Sequence, residues 1–98
     1  MKFRVEYAPR SARDLRKIRD YLIEESRSQE TADRFLTRLL DACETLDSLP
    51  ERFPRYPFAP DWRMMPFGNY LVFFRIHENA VRIGHIRHAA RRPFRGSK

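Results

Sequence analysis

The chain has 98 residues, 42% of them hydrophobic and 13% aromatic, which fits one folded domain over residues 1–98 and argues against a disordered chain. Twenty basic against 13 acidic residues give a net charge of +7, which favours an acidic partner such as nucleic acid or an acidic protein. A single cysteine excludes an internal disulfide. Because no signal peptide or long apolar run is recognisable, we expect a cytoplasmic protein that does not enter the membrane.

The first predicted elements are a strand and a helix. Residues 2–8 alternate apolar and charged side chains, which is the two-residue period of a half-buried strand. Pro9 is expected to end this strand. Ser11, three residues before Asp14, then predicts a helix that begins near Ala12.

The predicted first helix has more apolar surface than one packing face requires. Leu15, Ile18 and Leu22 follow helical spacing, and Tyr21 and Ile23 widen the apolar sector to roughly 200°. Either these two residues only flank the core, or they form a second contact surface, which is the interpretation we favour. This surface, with its basic neighbours, is predicted to bind an amphipathic acidic segment of a partner protein. Its expected residues are Tyr21, Ile23, Arg16, Lys17 and Arg19.

A second helix is predicted near residues 29–48, with Ser28 as its N-cap. The short joint at Arg27 and Ser28 makes the two helices an antiparallel hairpin. Cys43 lies on the apolar stripe and is expected to be a buried hydrophobe, not a reactive thiol. The stripe consists of Ala32, Phe35, Leu36, Leu39, Leu40, Cys43, Leu46 and Leu49.

The last half of the chain is predicted to be a proline-rich loop followed by β-structure. Four prolines between residues 50 and 60 exclude a helix or a central strand, so Phe53, Tyr56 and Phe58 are expected to hold a structured loop. The strands are predicted at residues 62–67, 69–76 and 80–89, with a bulge at Gly84. The middle strand is apolar on both faces and therefore central. The order β-α-α-β-β-β predicts an α+β domain in which a helix hairpin packs on a small antiparallel sheet.

The residues favour binding over metal or nucleophile chemistry. His85 and His88 should point to opposite faces of a strand, so no metal site is expected. No cofactor is expected either, because the three glycines form no phosphate-binding series. Residues 79–98 contain six lysine and arginine residues and no acid, and Arg63 is expected to lie beside them on a neighbouring strand. Such a cluster could bind phosphates, support RNA cleavage with His88 as general acid, or be a solvated tail.

Several stretches resemble the ParE/RelE toxin superfamily in their order and spacing. They are Ala32, Phe35 and Leu39 as A-x-x-F-x-x-x-L, Leu46 to Pro50 as L-x-x-x-P, Arg63 to Arg75 as R-x-x-P-F-G-x-Y-x-V-F-F-R, and Ile86 to Arg91 as I-x-H-A-x-R. Members of this superfamily are toxins of bacterial type II toxin–antitoxin pairs, also called plasmid-stabilisation proteins. The resemblance therefore implies a cognate partner, a ParD-like antitoxin with an acidic tail.

The resemblance favours the ParE branch over the RelE branch. RelE-type members cleave mRNA in the ribosome, and the positions of their cleavage groups correspond here to Trp62, Met64 and Leu71, which cannot stabilise a phosphorane. ParE-type members inhibit DNA gyrase by binding, so we expect a gyrase inhibitor and not an enzyme. The alternatives are a ribosome-dependent mRNA endonuclease and a homologue that binds an antitoxin but has lost toxicity. The expected functional surface is Arg63, His88, Arg91 and Arg92.

Overall fold

The computed structural model describes residues 2–90 as two helices on a five-stranded sheet. The helices are α1 (Pro9–Ser26) and α2 (Gln29–Glu44), and two 3-10 turns follow at Thr45–Asp47 and Pro50–Arg52. The strands are β1 (Arg4–Tyr7), β2 (Arg55–Tyr56), β3 (Ala59–Phe67), β4 (Tyr70–His77) and β5 (Ala80–His88). The predicted α+β class, with a helix hairpin on a sheet, is confirmed.

The sheet is mixed, and in this it differs from the antiparallel sheet predicted. Its order is β1-β5-β4-β3-β2, and β1 pairs with β5 in parallel. Side-chain alternation identifies a strand but does not say which strand it pairs with. A parallel pair needs a long crossover connection, and the chain between β1 and β5 contains the helix hairpin that provides it.

The beginning of α1 also differs from the prediction. The strand β1 ends at Tyr7, before Pro9, as predicted. Pro9 itself lies in the first helical turn, where its missing N–H costs no hydrogen bond, and Ala8 is the N-cap, so α1 begins earlier than the predicted start near Ala12. Ser11 is buried and donates to the carbonyl oxygen of Ala8 at 2.7 Å. Asp14 accepts a hydrogen bond from the backbone N–H of Ile86 on β5 at 2.9 Å. Asp14 thus connects α1 to β5, Ser11 bonds back to the N-cap residue, and neither side chain caps the helix.

The second helix begins as predicted and ends earlier. Ser28 accepts a hydrogen bond from the N–H of Thr31 at 3.0 Å, which confirms it as the N-cap. The helix ends at Glu44, and the apolar pattern continues into the 3-10 turn, where Leu46 is fully buried. Leu49 is 72% exposed and so lies outside the core that the stripe predicted.

The strand β4 lies at the centre of the sheet and is apolar on both faces, as predicted. One face carries Val72 and Phe74, which pack with Leu39 of α2 and Ile83 of β5 in the main core beneath the helices. On the other face Phe73 belongs to a second group, here called the aromatic cluster. The buried members of the aromatic cluster are Tyr56, Ala59, Trp62 and Phe73, with Met64 and Leu71 packed against them.

The predicted bulge at Gly84 is confirmed by the pairing of β4 and β5. Phe73 pairs with His85 and the next residue, Phe74, pairs with Ile83, so Gly84 is the extra residue. A Cβ atom on Gly84 would lie 2.2 Å from Cη2 of Trp62. A glycine is therefore needed here because the indole approaches the backbone of β5 closely.

The proline-rich segment contains more regular structure than predicted. It includes the 3-10 turn at Pro50–Arg52, the two-residue edge strand β2 and the beginning of β3. Prolines are compatible with an edge strand because one side of its backbone needs no ladder partner. Of the expected anchors, Phe53 contacts Phe74 in the main core at 6.3 Å between ring centroids, and Tyr56 is buried in the aromatic cluster. Phe58 remains 44% exposed.

Candidate functional site

Arg63 supports the loop that precedes its strand. Its guanidinium donates a hydrogen bond to the carbonyl oxygen of Phe53 at 2.7 Å and another to a carbonyl two residues earlier at 3.3 Å. Arg63 pairs with Phe74 on β4, whereas His88 pairs with Tyr70, near the other end of that strand. The two residues are therefore separated by one strand and four ladder positions, on the order of 15 Å. The structure does not bring Arg63 and His88 together.

His88 is exposed at the end of β5. Its ring meets that of Tyr70 edge-on, with centroids 5.3 Å apart. The backbone N–H of Ala90 donates to its Nδ1 atom at 3.1 Å, so the neutral ring carries its proton on Nε2, which can donate to a ligand. Arg91 and Arg92, the other predicted members of this surface, lie outside the described residues.

The five residues expected to bind a partner segment lie on two flanks of α1. Tyr21 and Ile23 are two positions apart, which is 200° around a helix. Tyr21 is 53% exposed, and Lys17, one turn earlier, shares its flank. Arg16 and Arg19 lie on the flank of Ile23, where Arg19 pairs at 2.8 Å with an α2 carboxylate. The surface predicted as one face is therefore divided by the outer ridge of the helix.

A cleft of about 690 Å³ separates α1 from the end of β5, and it joins residues that the sequence assigned to different surfaces. Lys17 and Tyr21 line it from the helix, and His88 lines it from the sheet. We call it the basic cleft. The described residues that line it are Arg10, Arg13, Asp14, Lys17, Ile18 and Tyr21 from α1, Tyr70, Ile86, Arg87 and His88 from the sheet, and Ala90 after β5.

Charge in the basic cleft is strongly one-sided. Arg10, Arg13 and Lys17 are spaced by three and four residues, so they form one row along α1. Within residues 2–90 none of the three forms an ion pair. Among the described residues that line the cleft Asp14 is the one acid, and the backbone N–H of Ile86 donates a hydrogen bond to one of its carboxylate oxygens. The excess of positive charge in the cleft therefore favours the binding of an anionic ligand.

Two tyrosines provide aromatic surface in the basic cleft. Tyr70 is largely buried, and its ring also contacts Phe35 of α2 at 5.8 Å. Burial, with a smaller contribution from Tyr21, raises the pKa of Tyr70, so its phenol stays neutral at physiological pH. Tyr21, in contrast, presents more than half of its surface to solvent. The cleft combines a row of cations with an accessible ring.

The other face of the sheet has no groups suited to phosphodiester cleavage at the positions that the RelE resemblance indicates. Trp62 is 6% exposed, and its indole packs against Gly84. Met64 and Leu71 pack against the same aromatic cluster. The guanidinium of Arg75 lies over the indole at 4.2 Å, a cation–π contact. These positions are therefore filled by packed apolar side chains.

His85 on this face is held by aromatic rings. It stacks on Phe73 with centroids 5.1 Å apart and meets Trp62 edge-on at 5.0 Å. Burial, followed by the neighbouring Arg10, Arg87 and Arg75, lowers the pKa of His85 to about 4. The ring is therefore neutral near pH 7 and unsuited to act as a general acid there.

Neither a metal site nor a membrane-spanning helix is found in the part of the chain that the structure describes. Among residues 2–90 no three histidine, cysteine or acidic side chains are grouped so as to hold a metal ion. Both α1 and α2 fall short of the length or apolar character needed to cross a bilayer.

Residues 5–93 match the family described as the ParE toxin of the type II toxin-antitoxin system, parDE. A search of curated proteins found no match. Among solved structures, the fold is similar to that of a chain from the chromosomal ParDE TA system from P. aeruginosa, with a TM-score of 0.81. The two sequences are 17% identical, and the similarity covers 89% of this chain and 96% of the other.

The family match spans most of the sequence, and the similar structure has the same fold. The chain therefore belongs to the ParE toxin family and is a ParE-type toxin of a type II toxin–antitoxin system. The resemblance drawn from its sequence motifs, including the preference for the ParE branch, is confirmed.

Proposed function

We propose that this protein arrests growth by binding and inhibiting DNA gyrase, and that a cognate ParD-like antitoxin neutralises it. Membership of the ParE family supports the gyrase target. The aromatic cluster supports inhibition by binding over cleavage of mRNA. Trp62, Met64 and Leu71 offer neither a cation nor a proton donor or acceptor that could act on a phosphodiester.

The target-binding surface that we propose centres on His88 and on Arg91 and Arg92, which follow β5 in the sequence. The Nε2–H of His88 is available as a donor, and arginines bind carboxylates and phosphates through paired hydrogen bonds. Arg63 contributes indirectly in this proposal, because its guanidinium holds the turn near Phe53.

We propose that the antitoxin reaches the toxin through an acidic segment that crosses the outer ridge of α1. A segment lying along one flank would meet either Tyr21 or Ile23, whereas a crossing segment meets both, because the two are 200° apart. Crossing at this level also places acidic side chains near Arg16, Lys17 and Arg19. Arg19 would contribute least, because it already pairs with Asp33.

Two assays run in parallel test the mode of action. Purified protein is added to a gyrase supercoiling reaction and to a translation reaction in which ribosome-dependent mRNA cleavage is scored. We expect loss of supercoiling and intact mRNA. The double variant Arg91→Ala/Arg92→Ala should lose this inhibition. Arg27→Ala/Arg38→Ala, which removes the same charge from the exposed hairpin, should retain it.

The antitoxin surface is tested by pull-down with the antitoxin. Tyr21→Glu places an acid where an acidic segment is expected, so binding should weaken strongly. The control is Leu49→Glu, which makes a similar change at another exposed apolar side chain. Full binding by folded Tyr21→Glu protein would exclude this part of α1.

Full toxicity of Arg91→Ala/Arg92→Ala would exclude the proposed target surface, and an inert wild-type protein would indicate a homologue that has lost toxicity.

A further inference from the structure

We propose that the basic cleft binds single-stranded nucleic acid, with phosphates on Arg10, Arg13 and Lys17 and a base stacked on Tyr21. This goes beyond the proposed inhibition of gyrase, since it gives the toxin chain a nucleic-acid contact of its own. It depends on the shape and charge of the cleft and on no property of gyrase or the antitoxin.

The cations on the helix side of the cleft form a regular row. Arg10, Arg13 and Lys17 lie at successive levels of α1, separated by about 4.5 and 6 Å along the helix axis. A row of cations that follows a groove matches a phosphodiester backbone, which carries one charge per nucleotide. None of the three is neutralised by an ion pair within the described range 2–90. All three charges therefore remain available to a ligand.

An accessible aromatic ring lies at the end of this row. Tyr21 lies one helical turn beyond Lys17 and is 53% exposed, an unusual position for a large ring on a helix that already buries Ile18. Bases stack on such rings without regard to sequence. Phosphate contacts on the cations followed by a stacked base on the ring are the two features that single-strand binding sites combine.

The lining of the cleft suits a nucleic-acid strand better than an acidic peptide helix. An amphipathic helix needs several exposed apolar anchors one turn apart. Among the described residues 2–90, the lining side chains of Ile18, Tyr70 and Ile86 are at least 92% buried, so Tyr21 is the one large apolar side chain there that a ligand can cover. Binding in the cleft must then come from charge and from stacking on one ring.

The sheet side of the cleft offers a further phosphate contact. His88 lines this side of the cleft, and the backbone N–H of Ala90 donates to its Nδ1 atom, which leaves Nε2 as the ring nitrogen that can contact a phosphate. The carboxylate of Asp14 repels an anionic ligand less than a free carboxylate would, because the backbone N–H of Ile86 donates a hydrogen bond to it. The cleft thus presents donors on both walls.

Fluorescence anisotropy with the purified full-length protein tests the proposal. The probe is a labelled 12-nucleotide oligo-dT strand, titrated at several salt concentrations. Unlabelled duplex DNA, dTMP and oligoglutamate serve as competitors. The variants are Arg10→Gln/Arg13→Gln, Tyr21→Ala, Tyr21→Phe and Arg91→Gln/Arg92→Gln. The matched control is Arg27→Gln/Arg38→Gln, which removes two exposed arginines from the far end of the hairpin and from α2. Melting curves verify that each variant is folded.

We expect the cleft double variant to bind the strand about tenfold or more weakly. Its slope of log affinity against log salt should be shallower by about 1.4, which is 0.7 for each lost phosphate contact. Tyr21→Ala should lose roughly fivefold or more, and Tyr21→Phe should bind as the wild type does. The control should show near wild-type affinity.

Four results would overturn the proposal. The first is an equal loss of affinity for the strand in the cleft and control variants, and the second is a loss of affinity confined to Arg91→Gln/Arg92→Gln. The third is competition by dTMP at the same affinity as the strand. The fourth is binding of oligoglutamate that depends on the cleft residues while oligo-dT does not bind. The last would assign the cleft to an acidic peptide, and the third to a free nucleotide. Because the assay contains no gyrase, its outcome is independent of whether gyrase is the target.

Discussion

Replacing Gly84 by alanine should destabilise the protein through a single steric conflict. The added Cβ would lie 2.2 Å from Cη2 and 2.3 Å from Cζ3 of Trp62, well inside van der Waals contact. The indole has little freedom to move, because it is buried, carries the guanidinium of Arg75 on its face at 4.2 Å and meets the ring of His85. Either the ring or the backbone of β5 must therefore shift.

This overpacking should lower the free energy of unfolding by about 1–3 kcal/mol. For a chain of this size a loss of 1 kcal/mol lowers the melting temperature by about 4–8 °C, so Gly84→Ala should melt roughly 5–20 °C below the wild type. Thermal and urea unfolding followed by circular dichroism measure both quantities.

A double-mutant cycle separates the steric conflict from a general effect on the bulge. Trp62→Phe removes the outer ring of the indole, so Gly84→Ala should cost about 1 kcal/mol less in that background. Gly68→Ala is the control, because its Cβ would lie 3.6 Å from Phe35, an ordinary contact, while its φ of +56° causes strain instead. Its cost should not depend on residue 62. Equal costs of Gly84→Ala in both backgrounds would refute the argument.

Three further predictions concern stability and reactivity. Leu39→Ala should lower the free energy of unfolding by about 2–5 kcal/mol, because the side chain is fully buried, whereas Leu49→Ala should change it little. Equal free energies of unfolding for the two variants would contradict the position of the core. Burial raises the pKa of Cys43 to about 12, so Ellman's reagent at pH 8 should react with this thiol at the rate of unfolding, and immediate labelling of native protein would contradict its burial. The lowered pKa of His85, about 4, means that between pH 6.5 and 4 the unfolded chain binds a proton that the folded chain does not. Stability should therefore be highest above pH 6.5 and fall as the pH decreases through this window. His85→Gln should flatten that part of the curve, and an unchanged slope in a folded variant would exclude this residue as its source.

Features set by local chemistry could be predicted from the sequence. The Ser28 cap, the central position of β4 and the bulge at Gly84 each depend on a few neighbouring residues, and each is confirmed. The parallel position of β1 could not be predicted, because pairing is decided by how the whole chain returns to the sheet. Likewise, the carbonyls that Arg63 binds belong to a proline-rich segment whose path no periodicity reveals.

The basic cleft could be predicted from the sequence only in part. Arg10, Arg13 and Lys17 have helical spacing that is visible in the sequence, but a helix start near Ala12 left Arg10 outside the helix. Recognising that Pro9 favours the first helical turn would have revealed the row. The contribution of His88 to the same cleft depends on the packing of α1 against β5 and could not be predicted from spacing.

The central claim, inhibition of gyrase by binding, is tested most directly by titrating the purified toxin into supercoiling reactions at several gyrase concentrations. A binding inhibitor should give a half-inhibitory toxin concentration that does not fall with longer incubation and that rises with the gyrase concentration once binding is tight. Addition of the cognate antitoxin should restore supercoiling in proportion to the amount added. Undiminished supercoiling at a large excess of folded toxin, together with ribosome-dependent cleavage of mRNA by the same preparation, would contradict this account.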